Sequence, residues 1–179
     1  MSEPDAMDAA SDLYREVVME HKRAPRNFGT LLDPTHHARG RNPQCGDDIE
    51  VELRLEADHI RDIRFHGQGC AICIASASMM TEAVRGASVA DAMQRQQHFR
   101  AVMTDTEEPR EAYLGKLVSL AGVRRYPSRI KCALLGWHAL AHALAGDANN
   151  PAHSAAHPTA AADPSRDADA ASGAAEELQ

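Results

Sequence analysis

Aromatic residues are scarce in this 179-residue chain: three phenylalanines, three tyrosines and one tryptophan, 4% of the total. Platforms for stacking nucleic-acid bases are therefore not expected. Surplus positive charge is also lacking. Nineteen Lys and Arg stand against 26 Asp and Glu, a formal net charge of −7, whereas phosphate contacts need clustered cations. Nucleic acid is excluded as a partner on both counts. No apolar run approaches the length of a membrane span, so no membrane partner is expected. The acidic start, Met1 to Asp12, has neither the basic nor the apolar region of a secretion signal. The expected compartment is the cytosol, where the four cysteines are read as reduced: ligands, nucleophiles or core residues before disulfides.

Large aliphatic residues vanish after Gly146. From 147 to 179 the chain is mostly Ala, Asp, Pro, Ser and His, with Leu178 the only large aliphatic side chain. Such a segment cannot bury enough apolar surface to offset its ordering entropy, and it is expected to be a disordered acidic tail. Residues 1–11 are expected to be a flexible N-terminus, and 12–146 one domain of ordinary size with a real core.

Within that domain, Asp12 can cap a helix in which Leu13/Val17 and Tyr14/Val18 repeat at i,i+4. It runs out through Lys22 and Arg23 before Pro25. Ile49, Val51, Leu53 and Leu55 alternate with Glu50, Glu52, Arg54 and Glu56, which predicts a half-buried strand. After a turn at Ala57-Asp58-His59, Ile63 and Phe65 continue a second strand to Gly67. A shorter strand around Ala38 to Arg41 completes a three-stranded antiparallel sheet. Cys70 to Arg85 reads as a buried helix ending at Gly86. Ser88-Val89-Ala90-Asp91 is a capping box for another helix, and Thr104 to Pro109 is a polar break. Ala112 to Leu120 reads as a helix stopped by Gly122. Pro127 and Ser128 open the last helix, with Ile130, Leu134, Trp137, Ala141 and Leu144 on one face. The order predicts an α+β fold: an N-terminal helix, a small sheet, then several helices packed on one face.

Against this background the thiols stand at informative places. Cys45 and Asp47 are two apart, so in extended chain both point to the same side and can grip one cation, while Asp48 points away. Gly46 between them allows a tight bend. Cys70 follows Gly67-Gln68-Gly69 where a strand meets a helix, and Cys132 lies near the start of the last helix. Both are expected in the positive end of a helix dipole, which favours the thiolate. Arg129 and Lys131 add positive charge beside Cys132. Soft sulfur with one carboxylate points to zinc or an iron–sulfur cluster over magnesium or calcium. The bland alternatives are a turn at Cys45 and helix packing at Cys70 and Cys132. Cys73 reads as a core residue, although Cys70-Ala71-Ile72-Cys73 also has the spacing of a thiol–disulfide motif. His138 and His142 are four apart but lack the glutamate of a zinc-protease helix, so a solvated face is expected. His36, His37, His153 and His157 are likewise expected to face solvent.

From about Leu13 to Leu144 the chain resembles the IscU/NifU-type iron–sulfur cluster assembly proteins, most closely their SufU branch. The segments that carry the resemblance are LYREVVMEH at 13–21, RNFG at 26–29, NPQCGD at 42–47, GQGCAI at 67–72, ASASMMT at 75–81 and RIKCA at 129–133. Lys131, where IscU-type scaffolds carry histidine, and the long stretch between Cys70 and Cys132 favour the SufU branch. Cys73 departs from the serine expected there.

The resemblance implies a zinc site of Cys45, Asp47, Cys70 and Cys132, with Arg129 and Lys131 steadying a displaced sulfur anion. It implies a partner, a pyridoxal-phosphate-dependent cysteine desulfurase of the SufS type, and an onward path to the SUF scaffold complex. Docking to the desulfurase would replace Cys45 at the metal by a histidine of the partner. Cys45 would then take sulfur from the partner's persulfide, making the protein a sulfurtransferase-like activator of the desulfurase and not a stand-alone enzyme. The alternatives are a scaffold assembling a transient [2Fe–2S] cluster, or holding iron, on the same ligands, and a zinc ion that only staples the fold.

Overall fold

The computed structural model describes residues 14–146; Asp12, Leu13 and the proposed terminal segments lie outside the described residues. The first helix, α1, occupies 14–23 and turns Val18 and His21 inward, 6% and 4% exposed. Three strands follow, β1 (His36–Asn42), β2 (Asp47–Glu56) and β3 (His59–Gln68). They pair antiparallel in the order β1-β2-β3. The third strand found around Ala38 to Arg41 is thus real and slightly longer than its sequence pattern suggests.

Alternation along β2 decides which face is apolar. Ile49, Val51 and Leu53 are wholly buried and share their face with Ala38 of β1 and with Ile63 and Phe65 of β3. Helices α2 (Ala71–Val84) and α5 (Pro127–Ala145) cover this face. Helix α3 (Val89–Met103) closes the far side of α5, where Phe99 stacks on Trp137 with ring centroids 5.0 Å apart. The Ser88 side chain caps α3 by accepting from the Asp91 N–H at 3.0 Å. The layers are therefore a sheet with its helices on one face, the α+β arrangement expected. No helix among the described residues is long and apolar enough to cross a membrane.

Three local expectations change. The helix expected over Ala112 to Leu120 is a single turn, α4 (Glu111–Leu114), followed by a 3-10 stretch, Gly115–Arg125. Gly115 turns left-handed at φ +53° and interrupts the α-ladder. Leu117, Leu120 and Val123 are then the buried positions, and their spacing of three matches the 3-10 period. On α5 the expected stripe is only partly buried, since Ile130, Ala141 and Leu144 are half-exposed. The residues buried deepest include Ala133, Trp137, Leu140 and Ala143, because α5 wedges between the sheet and α2. Glu52, an outward position by alternation, is 1% exposed. The segment 28–35 crosses the outer face there, and the Leu31 N–H donates to the Glu52 carboxylate at 2.6 Å.

Candidate metal centre

The β1–β2 turn sets up the first two ligand candidates. The Asn42 carbonyl accepts from the N–H groups of Cys45, at 3.2 Å, and Gly46, at 2.9 Å. Gly46 takes φ +70°, a value that costs glycine nothing. This leaves Cys45 exposed and starts β2 at Asp47. By strand parity Asp47 shares the face of Ile49 and Val51, and it is 2% exposed. Asp48 points to the other face, where its two oxygens each accept from the Arg39 guanidinium at 2.6 Å. That pairing holds the Asp48 carboxyl below its ordinary pKa.

Cys70 caps α2 from a position between strand and helix. Its N–H donates to Asp47 Oδ1 at 2.8 Å, and its sulfur lies 4.0 Å from Asp47 Oδ2. That sulfur also accepts from the Cys73 N–H at 3.5 Å, so it occupies the N-cap acceptor position at the positive end of the helix. Cys73 is wholly buried. Burial, then the charges of Asp47 and Cys70, push its thiol far above the ordinary range. The core reading of Cys73 describes its surroundings.

Cys132 differs from its expected setting. It is the sixth residue of α5, in the second turn, and it is wholly buried. The end of the dipole is thus a turn away. Burial, with hydrogen bonds to Asp47 and Cys45, raises its thiol pKa strongly. Its sulfur lies 3.4 Å from that of Cys45 and accepts from Asn42 Nδ2 at 3.9 Å.

Arg129, one turn earlier on an exposed part of α5, has its pKa raised by Cys132 first and then by Cys70 and Cys45. Its guanidinium therefore stands on the side of the site that the thiols face. Lys131 is exposed and forms no ion pair with any described residue. A different lysine takes the nearer place: Lys22 of α1 donates to the Gly69 carbonyl at 3.1 Å. Neither Lys22 nor Asn42 was singled out from sequence. Asn42 lies within the NPQCGD turn, but its contact with Cys132, 90 positions on, and that of Lys22 with Gly69 exist only through the fold.

The donor atoms of Cys45, Asp47 and Cys132 all lie within 4.8 Å of one another, and Cys70 joins through Asp47. Three sulfurs and one carboxylate suit zinc or iron and do not suit hard cations. Space is confined to match. A Cβ on Gly69 would stand 3.0 Å from the Cys73 sulfur and 3.2 Å from Asp47 Oδ1, so any larger residue would press on the ligands. Of the histidines set aside above, His138 and His142 are exposed, but His36 and His37 are half-buried. His37 Nδ1 lies 3.2 Å from Glu50 Oε1. His153 and His157 fall outside the described residues.

Comparison with known proteins follows the same residues. The family described as NifU-like N terminal domain matches residues 13–133. The zinc-dependent sulfurtransferase SufU of Bacillus subtilis (strain 168) is 41% identical over 133 residues, 74% of this chain and 90% of that protein. The iron–sulfur cluster assembly scaffold protein IscU of Streptococcus pyogenes serotype M1 is 40% identical over 144 residues, 80% of this chain and 90% of the relative. Among solved structures, the SUF-system assembly scaffold of Fervidobacterium islandicum AW-1 superposes with a TM-score of 0.70 at 31% identity, covering 74% of this chain and 96% of that one.

Proposed function

This chain belongs to the family of NifU-like N-terminal domains, and from that footing we propose that it serves iron–sulfur cluster assembly as a zinc-dependent sulfur acceptor. The donor would be the persulfide of a pyridoxal-phosphate-dependent cysteine desulfurase in the cytosol, and the onward acceptor the SUF scaffold complex. Cys45, Asp47, Cys70 and Cys132 would hold the zinc, and residues 12–146 would suffice for the activity.

One observation carries this reading: the exposed Cys45 thiol lies 3.4 Å from the buried Cys132 sulfur in a cluster with Asp47, and the Cys70 sulfur stands 4.0 Å from that carboxylate. The relative from Bacillus subtilis bears the name zinc-dependent sulfurtransferase, which supports the same chemistry. Bound zinc would keep its thiolates deprotonated yet quenched until transfer. The chain's own groups have separate tasks. Asp47 orients the start of α2 by accepting from the Cys70 N–H. Asn42 supports the buried Cys132 sulfur. Cys45, exposed at the tip of a turn, meets the partner. As thiolate it attacks the sulfane sulfur of the desulfurase persulfide. A new S–S bond forms on Cys45, the old S–S bond breaks, and the desulfurase cysteine leaves as thiolate. Arg129, facing the thiols from an exposed position, offsets the negative charge on the transferred sulfur.

A second reading, a scaffold for a [2Fe–2S] cluster on the same donors, is supported by the streptococcal relative being named a scaffold protein. Desulfurase turnover with and without this protein, run beside its metal content, separates the two. Stoichiometric zinc, no visible absorbance and stimulated turnover support transfer. A brown protein with labile sulfide supports the scaffold. Unchanged stimulation by Cys45→Ser would rule out transfer through Cys45.

A further inference from the structure

The outer face of the sheet holds a second convergence of ligand-type side chains, away from the thiols. Parity sends Glu50 and Glu52 of β2 to this face together with His66 of β3, which stands directly opposite Glu50 in the register. His37 of β1 stands directly opposite Glu52. The donor atoms of Glu50, Glu52 and His66 lie within 4.8 Å of one another. His66 Nε2 is 3.5 Å from Glu52 Oε1 and 3.9 Å from Glu50 Oε2.

Two features make this more than a polar surface. The Glu52 side chain is 2% exposed, and a buried carboxylate is costly unless its charge is compensated. One of its oxygens accepts from the Leu31 N–H. The other lies 3.5 Å from the His66 imidazole. Arg64 stands opposite Glu52 in the register, yet no ion pair joins them among the described residues.

The separations are also informative. At 3.5 and 3.9 Å the contacts are long for hydrogen bonds. Two donors about 2.0–2.1 Å from a shared tetrahedral ion stand roughly 3.3 Å apart, a spacing a small side-chain rotation would reach. His37, 3.2 Å from Glu50 Oε1, would orient that carboxylate from behind.

We propose that Glu50, Glu52 and His66 form a second divalent-cation site, for an ion of the zinc class, between the sheet and the segment 28–35. Two carboxylates and a neutral imidazole balance a double positive charge, and nitrogen with oxygen donors suits zinc or a neighbouring transition metal. The site is independent of the thiol centre in both residues and face. Water would complete the coordination on the exposed side, since Glu50 and His66 are 25% and 32% exposed.

The test is metal titration of the reduced, chelator-stripped full chain, with zinc followed by calorimetry and cobalt by absorbance. Wild type is expected to take up two equivalents, one giving the intense thiolate-to-cobalt band and one giving only weak ligand-field bands. His66→Ala, at a half-exposed position, is expected to lose the second equivalent and keep the thiolate band. Glu52→Gln and Glu50→Gln are expected to do the same, with circular dichroism confirming the fold. Uptake limited to one equivalent bearing the thiolate band would overturn the proposal, as would a His66→Ala protein that still binds two. Loss of the thiolate band alone would count against the thiol centre and leave this site standing.

Discussion

The sulfur of Cys45 lies 3.4 Å from that of Cys132, 87 positions along the chain; one is exposed and the other sealed in the core. The pair joins a turn that a partner can reach to a helix that cannot move without disturbing the sheet. Their substitutions should therefore diverge. Cys45→Ser is expected to leave the stability of the metal-free protein within about 0.5 kcal/mol of wild type, as for an exposed position, and to acquire no added sulfur when incubated with desulfurase and cysteine. Cys132→Ser is expected to lose about 1–3 kcal/mol, as buried polar partners are disturbed. Urea unfolding beside intact-mass measurement reads both.

Gly67 holds the approach of β3 to β2 just before the thiol site. Its φ is +127°, and a Cβ there would stand 2.1 Å from the Asp48 carbonyl oxygen. Backbone, not a flexible side chain, is in the way. Gly67→Ala is expected to cost at least about 2–3 kcal/mol and to lower zinc affinity with it, because Asp47 and Cys70 flank the displaced backbone. Thermal unfolding and a zinc-competition assay on the same sample check this.

His21 supplies a pH dependence with a definite sign. It is 4% exposed and its Nδ1 lies 2.8 Å from Ser78 Oγ. Burial, reinforced by Arg26, holds its imidazole below the ordinary value. The unfolded chain therefore takes up the proton first as pH falls. Stability is full above the ordinary histidine pKa of about 6.5 and declines as pH drops from there toward the folded value. His138 is lowered in the same sense, so the measurement is a difference. His21→Gln is expected to flatten the fall in stability between about pH 7 and pH 5, read by urea unfolding at each pH.

Arg129 is exposed, so its contribution is steering and charge balance and not stability. Arg129→Gln is expected to slow sulfur acceptance about 3–10-fold at low ionic strength, with the gap closing as salt is added. Arg129→Lys should recover part of the rate. An unfolding midpoint that moves with either substitution would show a structural role instead.

A protein ending at Gly146 is expected to retain zinc binding and desulfurase stimulation unchanged. Loss of either would place a necessary group beyond the domain.

Much of the fold was legible because its signals are local. The alternation from Ile49 to Leu55 sets the face of β2, and with it the choice of Asp47 over Asp48. Ser88 with Asp91 marks a helix start, and Cys70 marks another, since capping depends on a residue and its near neighbours. The 3-10 stretch was less legible. Leu117, Leu120 and Val123 fit a period of three, but three apolar residues also fit the edge of an α-helical stripe, and only the turn at Gly115 separates the two.

The residue types and spacings by themselves determined the pairing of Cys45 with Asp47 and the order of helices and strands, because each follows from interactions within a few residues, while the meeting of Cys45 with Cys132 across 87 positions needed the fold. Tertiary structure alone decided that Lys22 reaches Gly69, that the Cys132 sulfur meets that of Cys45, and that Glu52 is covered by the segment 28–35. Those outcomes depend on which surfaces meet when α1, α5 and the sheet come together, and no short stretch of chain contains that information.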